Sequence, residues 1–219
     1  MQYLLDTRHW ILGEPTSITS LLVAHLRITA ISVLIGLAVA FPLALVAVRH
    51  TRTYLPLITV AGILYTLPSL AFMALLIPFT GLTATTVVIP LVLYAQVVLI
   101  RNIVAAIQAI DPWVVEVGYA MGMTTRQVQW RVVLPLALPV IVAGVRVATV
   151  TTIGIATIAP LFGVPSLGYL IFQGFNTSYA DQVMAGVILV SALAILTDLA
   201  LLGVQRLLSR GRRVSPATA

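Results

Sequence analysis

Residues 28–48 read ITAISVLIGLAVAFPLALVAV, a run without a single charge. An apolar, uncharged stretch of 18 or more residues has the length of a membrane-crossing helix, because a bilayer core asks for ~20 residues at 1.5 Å each. The pattern recurs. Residues 53–100 and 147–180 also carry no charge. Within 219 residues only 8% are Asp, Glu, Lys or Arg, and 60% are hydrophobic. The mean hydropathy is +1.10. Soluble domains carry about 25% charged residues, so this composition excludes a disordered chain, a coiled coil and almost any soluble enzyme. The expected fold is all-α and polytopic, with about five transmembrane helices.

The spacing of charges places the spans. The first is expected at 28–48, with a start as early as Leu21. The second and third, at 55–77 and 83–100, are split by the turn-like Pro78-Phe79-Thr80-Gly81. The fourth and fifth are expected at 134–159 and 182–207. This divides the chain into an outer tail (1–20), a transmembrane region (21–208) and a basic cytoplasmic tail (209–219), the last held by anionic lipid. The start, Met1 to Asp6, lacks a basic n-region and a small-residue cleavage site, so a cleaved signal peptide is not expected. The first span is expected to direct its own insertion.

All twelve basic residues are arginine, and the net charge is +6. With five spans, Arg49, Arg52, Arg101, Arg126, Arg131, Arg206, Arg210, Arg212 and Arg213 share one side, while only Arg8 and Arg27 lie on the other. An arginine excess marks the cytoplasmic side. The N-terminus is therefore expected outside and the C-terminus inside. The pI near 10.3 first points to nucleic acid. Binding phosphate needs an exposed basic patch, and these arginines are dispersed anchors, so no nucleic-acid partner is expected.

The loop at 101–133 has internal order. Asp111-Pro112 opens a helix with an N-cap acceptor and a proline at the first helical position. Trp113, Val114, Val117, Ala120 and Met121 follow near helical spacing. Gly122 is expected to end the helix at C′, where a left-handed conformation costs glycine little. Thr124 or Thr125 can cap a second short helix through Trp130. Two readings of this pair stand: an interfacial element resting in the headgroups, or a docking element.

The register resembles a motif. Glu116-Val117-Gly118, then Gly122, then Val132, Leu134 and Pro135 keep the intervals of the cytoplasmic loop of bacterial ATP-binding-cassette importer permeases, Glu-Ala-Ala, three residues, Gly, nine residues, Ile, one residue, Leu-Pro. Val117 and Gly118 stand at the two alanines, and Val132 at the isoleucine. Leu67 to Ala71, Arg101-Asn102, Asp111-Pro112, Met121 to Thr124, Leu134 to Pro139, Ala143 to Arg146 and Gly163 to Leu170 further resemble the osmoprotectant branch, which imports glycine betaine, carnitine or choline. The likeness covers roughly residues 20–208. Its relatives usually read Gly-Ala-Gly-Gly-Leu-Gly where this chain has Gly163-Val164-Pro165-Ser166-Leu167-Gly168. The resemblance implies that the loop couples to an ATPase through Glu116, Gly122, Leu134 and Pro135, with Ala120 and Met121 packing there. It also implies two ATPase subunits, a second permease copy or paralogue, an extracytoplasmic solute-binding protein, and the inner membrane as the location. The chain itself is expected to hold no cofactor, with ATP and Mg on the partner.

A polar translocation path is read from Tyr65, Pro68, Ser69, Tyr94, Arg146 and Asp198. Pro68 removes one backbone hydrogen bond and can bend the 55–77 span, with Tyr65, Thr66 and Ser69 around it. Tyr65, Phe72, Tyr94, Tyr169 and Phe172 can face a quaternary ammonium cation or simply pack. Asn176, Tyr179 and Asp181 lie in the outer segment at 160–181, expected as a short hairpin or helix facing the binding protein. Arg146 and Asp198 are charges within spans, which normally pair or face water. Either they pair, or Arg146 snorkels while Asp198 sits near the interface. Arg27 and His25 are read as outer-interface anchors.

Other chemistries lack their residues. No Cys occurs, no Walker loop is possible without Lys, and His9, His25 and His50 are far apart in sequence. No metal site or hydrolytic constellation is visible among the six acids. A transport subunit that is not itself an enzyme is the main expectation. Rival readings are the same architecture importing an amino acid such as methionine, and an ion-coupled secondary carrier. The carrier would need inverted repeats and midplane acids, and Asp198 is its one candidate.

Overall fold

The computed structural model describes residues 2–10 and 14–209, and the 210–219 part of the basic tail lies outside the described residues. In chain order come α1 (Gln2–Leu5), a 3-10 turn (Thr7–Trp10), α2 (Ile18–Arg49), α3 (Thr51–Thr66), α4 (Ser69–Thr80) and α5 (Ala84–Gln108). Then follow α6 (Pro112–Ala120), α7 (Thr125–Val128), a π turn (Gln129–Val133), α8 (Leu134–Ala156), a 3-10 turn (Ala159–Phe162), α9 (Gly168–Asn176) and α10 (Ala180–Ser209). No strand occurs among the described residues. Among the described residues four helices are long and apolar enough to cross a membrane, and α3 with α4 makes a fifth if counted as one bent crossing.

The expected spans are recognisable with three differences. The stretch at 55–77 is not one helix. It breaks at Leu67-Pro68, and α3 and α4 meet at 92°. Proline lacks the N–H that Leu64 would receive, so Leu67 N–H turns to the Leu64 carbonyl at 3.3 Å and the helix stops. The fourth span, α8, begins at Leu134 as expected, but it is not preceded by a loop. One helical run extends from Thr125 to Ala156, with the π turn inside it. There Leu134 N–H reaches five residues back to the Gln129 carbonyl. The wider turn lies directly ahead of Pro135, which has no N–H to continue an α-helical ladder. Finally, the loop is shorter than 101–133, because α5 continues to Gln108 and carries Arg101 within it.

Helix α5 is the centre of the packing. It touches α2, α3, α4 and α8, while α10 lies on α8 and α9. Ala40, Ala44 and Ala47 put small side chains at helical spacing on α2, against buried Leu99 and Ile103 of α5. Without a hydrophobic drive between helices in lipid, such small residues let backbones approach closely. Gly144 does the same for α5 and α8. A methyl group there would sit 2.3 Å from Cβ of Asn102.

Beyond α8 the chain folds back. Gly168 starts α9 against the Thr157 backbone, and a methyl group on it would lie 1.7 Å from the Thr157 carbonyl oxygen. Backbone has to move to admit any side chain. Gly168→Ala should therefore destabilise the protein by at least about 2 kcal/mol. Gly154→Ala, with nothing within 4 Å of the added carbon, should not destabilise it, and the better helix propensity of alanine should stabilise it by up to about 1 kcal/mol. Thermal unfolding of the two purified variants in detergent checks the contrast.

Candidate functional site

The segment from Asp111 to Pro135 is built by local capping. The Asp111 carboxylate accepts the Trp113 N–H at 2.9 Å, and Pro112 opens α6. Gly122 adopts φ +79°. Its N–H bonds to the Tyr119 carbonyl at 2.9 Å and Met123 N–H to the Gly118 carbonyl at 3.2 Å. This is the paired closure of a Schellman ending, which needs a left-handed residue at C′. Thr124 then forms a reciprocal capping box with Gln127. The capping pattern expected from sequence is present at each of these positions.

Helix α6 has almost no covering within the chain. Trp113 is 69% exposed and Met121 73%. Glu116 and Ala120 are exposed as well. Only Gly118 is buried, because Val128 of α7 lies on it, and a Gly118 methyl would sit 3.2 Å from the Val128 Cγ2. Val128 is itself buried. The bare glycine therefore seats α6 on α7, and α7 runs through the π turn into α8. Leu134 and Pro135 are the first residues of α8. Packing at Gly118–Val128 and the helical run from Thr125 to Ala156 thus join α6 to a helix long enough to cross the membrane.

At the α3–α4 bend, Tyr65, Pro68, Ser69 and Tyr94 come together. The Tyr94 hydroxyl donates to the Leu67 carbonyl at 3.0 Å. Tyr65 and Phe72 approach the Tyr94 ring edge-on, at centroid distances of 5.9 and 6.0 Å. Tyr94 is buried and Tyr65 is exposed, so the cluster reaches from the core to an open face.

Arg146 and Asp198 pair, but elsewhere. Arg146 Nε donates to Asp198 Oδ1 at 3.0 Å and Nη2 to Oδ2 at 2.7 Å, a two-pronged contact. Nη1 reaches Gln205 Oε1 at 2.8 Å. The pair joins α8 to α10, whereas the aromatic cluster belongs to α3, α4 and α5. The six expected path residues therefore form two separate groups.

His25 is not an interface anchor. It is fully buried. Its Nε2 contacts the Ile153 carbonyl at 3.1 Å and its Nδ1 accepts the Leu167 N–H at 3.3 Å. A carbonyl can only accept and an amide can only donate, so the geometry assigns a neutral ring with its proton on Nε2. Ser166, also buried, donates to the Ala156 carbonyl at 3.0 Å and accepts the Gly168 N–H at 3.2 Å. A lone histidine near a span end carried no sequence signal for this, since its partners lie more than a hundred residues away. Near Tyr179 and Gln182, Tyr3 of α1 stacks on His9 at 3.8 Å. Burial first, and then Tyr169 and Tyr179, push the Tyr3 phenol above its ordinary range. Among the described residues no metal-binding cluster of His, Cys, Asp and Glu occurs.

Over residues 20–214 the chain matches the family described as the inner membrane component of binding-protein-dependent transport systems. The carnitine transport permease protein OpuCB of Listeria monocytogenes is 36% identical to it over 177 residues, 81% of each chain. The osmoprotectant import permease protein OsmW of Salmonella typhimurium is 34% identical, covering 89% of this chain and 93% of its own. The choline transport system permease protein OpuBB of Bacillus subtilis is 36% identical over 84% and 85%. Among solved structures, the MetNI methionine ABC transporter in an inward-facing conformation superposes with a TM-score of 0.76 at 23% identity, covering 90% of this chain and 99% of that one. An amino acid ABC transporter with histidines gives 0.67 at 20%, covering 95% and 96%. The structural likenesses establish the fold.

The ion pair is testable by charge exchange. Arg146→Asp alone and Asp198→Arg alone should each lower the melting temperature of the inserted protein. The double exchange should recover most of the loss, because opposite charges again face each other. A double variant no better than the worse single variant would show that the contact contributes nothing.

Proposed function

The chain belongs to the family of binding-protein-dependent transport system inner membrane components, and from that premise we propose that it is the permease of an ATP-driven importer for a quaternary ammonium solute such as glycine betaine, carnitine or choline. It is a multi-pass membrane transport subunit. The ATPase that drives it is a separate subunit, present as two copies, and holds the ATP and Mg. Two permease chains, identical or paralogous, enclose the path, and a solute-binding protein delivers cargo from outside. The arginine distribution supports an outer N-terminus and a cytoplasmic C-terminus.

The observation that carries this reading is the exposed α6 in the register of Glu116, Gly122, Leu134 and Pro135. In this proposal Glu116, Ala120 and Met121 meet the ATPase. Gly122 closes the helix so that α7 can turn back, and Leu134-Pro135 transmits the movement into α8 through the π turn. Closure of the ATPases shifts α6, and the Gly118–Val128 seat carries α7 and α8 along.

Cargo selection is supported by two observations. The curated relatives at 34–36% identity are named for carnitine, choline and osmoprotectants. The Tyr65, Phe72 and Tyr94 rings at the Pro68 bend also offer aromatic faces of the kind that attract a quaternary ammonium. Ser69 lies at the same bend and lines the proposed path with them. Arg146 and Asp198 act in this reading as a tie between α8 and α10. In vesicles containing the assembled transporter, Glu116→Arg should abolish ATP-dependent uptake of radiolabelled glycine betaine while the protein stays inserted at the normal level. Uptake that survives both this substitution and removal of the ATPase would overturn the permease mechanism. Uptake competed by methionine and not by choline or carnitine would overturn the cargo.

A further inference from the structure

On the side of the chain that carries α6 and α7, a cavity of about 480 Å³ opens between α2 and α8. Its mouth is cationic. Arg49 closes α2, Arg126 stands on α7, and Trp130 lies beside them. Among the described residues, no acidic one lines it. Arg49 donates to the neutral Gln129 side chain at 3.2 Å, and Arg126 makes no ion pair among the described residues. Further in, the walls turn apolar, with Phe41, Leu45 and Leu134. A second cavity of about 420 Å³ shares Phe41 and Leu134 and continues along the same two helices past Leu34, Leu138 and Ile141. From Leu45 to Leu34 the trough runs ~16 Å at 1.5 Å per residue. That is close to half of the ~30 Å hydrocarbon thickness of a bilayer.

A cationic mouth, a tryptophan at its rim and an apolar trough one leaflet deep are the proportions of a phospholipid. We propose that this groove binds one anionic phospholipid, with its phosphate between Arg49 and Arg126 and an acyl chain along Phe41, Leu45 and Leu138. Charge complementarity selects this occupant. A second copy of this +6 chain would have to find an acid to set against two arginines, and only six acids exist in its whole sequence. A water-soluble subunit would have to send an apolar segment a full leaflet deep. Juxtamembrane arginines attract anionic lipid, and guanidinium groups match phosphate geometry. Gln129 and Val133 of the π turn form part of the same wall. The bound lipid therefore presses on the joint between α7 and α8. Binding is independent of the transport reading; its consequence for coupling rests on that reading.

The test uses Trp130 as the reporter. In the full chain with Trp10→Phe and Trp113→Phe, reconstituted into vesicles, Trp130 is the remaining tryptophan. Phosphatidylglycerol with brominated acyl chains should quench it at a mole fraction lower than brominated phosphatidylcholine by roughly fivefold or more. Arg49→Gln with Arg126→Gln should erase the preference, and Arg49→Lys with Arg126→Lys should keep most of it. Equal quenching by the two lipids, or a preference that survives the glutamine pair, overturns the proposal. Protection of Trp130 from both lipids also overturns it, because another protein surface then covers the groove. None of these outcomes depends on uptake, so the proposal can fail while the transport function stands.

Discussion

In hydrocarbon there is no water to satisfy a backbone carbonyl, so each one that leaves the helical ladder needs a partner from the protein itself. The irregular parts of this chain follow from that requirement. Pro160 cannot donate to Ala156, and the Ser166 hydroxyl does so. The Thr157 N–H turns to Gly154, which leaves the Ile153 carbonyl to the His25 ring. The break at Pro68 frees the Leu67 carbonyl, and the Tyr94 hydroxyl takes it. The His25 and Tyr94 repairs link segments 128 and 27 residues apart, while the Ser166 repair closes a local turn of ten. The interruptions caused by proline are thus also the cross-ties of the fold.

Helix α8 collects most of these ties. Near its end, His25 of α2 and Ser166 bond to its last carbonyls. In its middle, Gly144 receives Asn102 of α5, and Arg146 grips Asp198 and Gln205 of α10. At its start, the π turn fuses it to the capped helix pair. An element held at so many points moves as a unit, because packed interiors do not deform continuously. That property suits a helix whose exposed end is proposed to receive force. The groove beside the π turn adds a point where the membrane itself can bear on the same joint.

The local features of the loop were legible residue by residue. Asp111, Gly122 and Thr124 act through bonds to neighbours two to five positions away, so their chemistry is complete within a short window. The register of Glu116, Gly122 and Leu134-Pro135 could be read for the same reason. The bend at Pro68 was half legible. Proline announces a lost hydrogen bond, but bending rather than unbroken continuation depends on whether a partner such as Tyr94 waits for the freed carbonyl. His25 was misread as an anchor because nothing within its window distinguishes an interfacial imidazole from a buried one.

The sequence by itself determined the solvent of this protein, its helical class and its capped loop. Burial of uncharged runs in lipid and the bonding of caps are both set by composition and short spacing. Only the tertiary structure decided that Arg146 meets Asp198 while Tyr94 guards a different bend, that Gly144 and Gly168 sit against backbone and side chain with no room for a methyl, and that α2 and α8 leave a groove lined by arginine at one end. Those outcomes depend on which helices lie side by side, and in a membrane that is settled by close packing and partner-seeking polar groups across the whole chain.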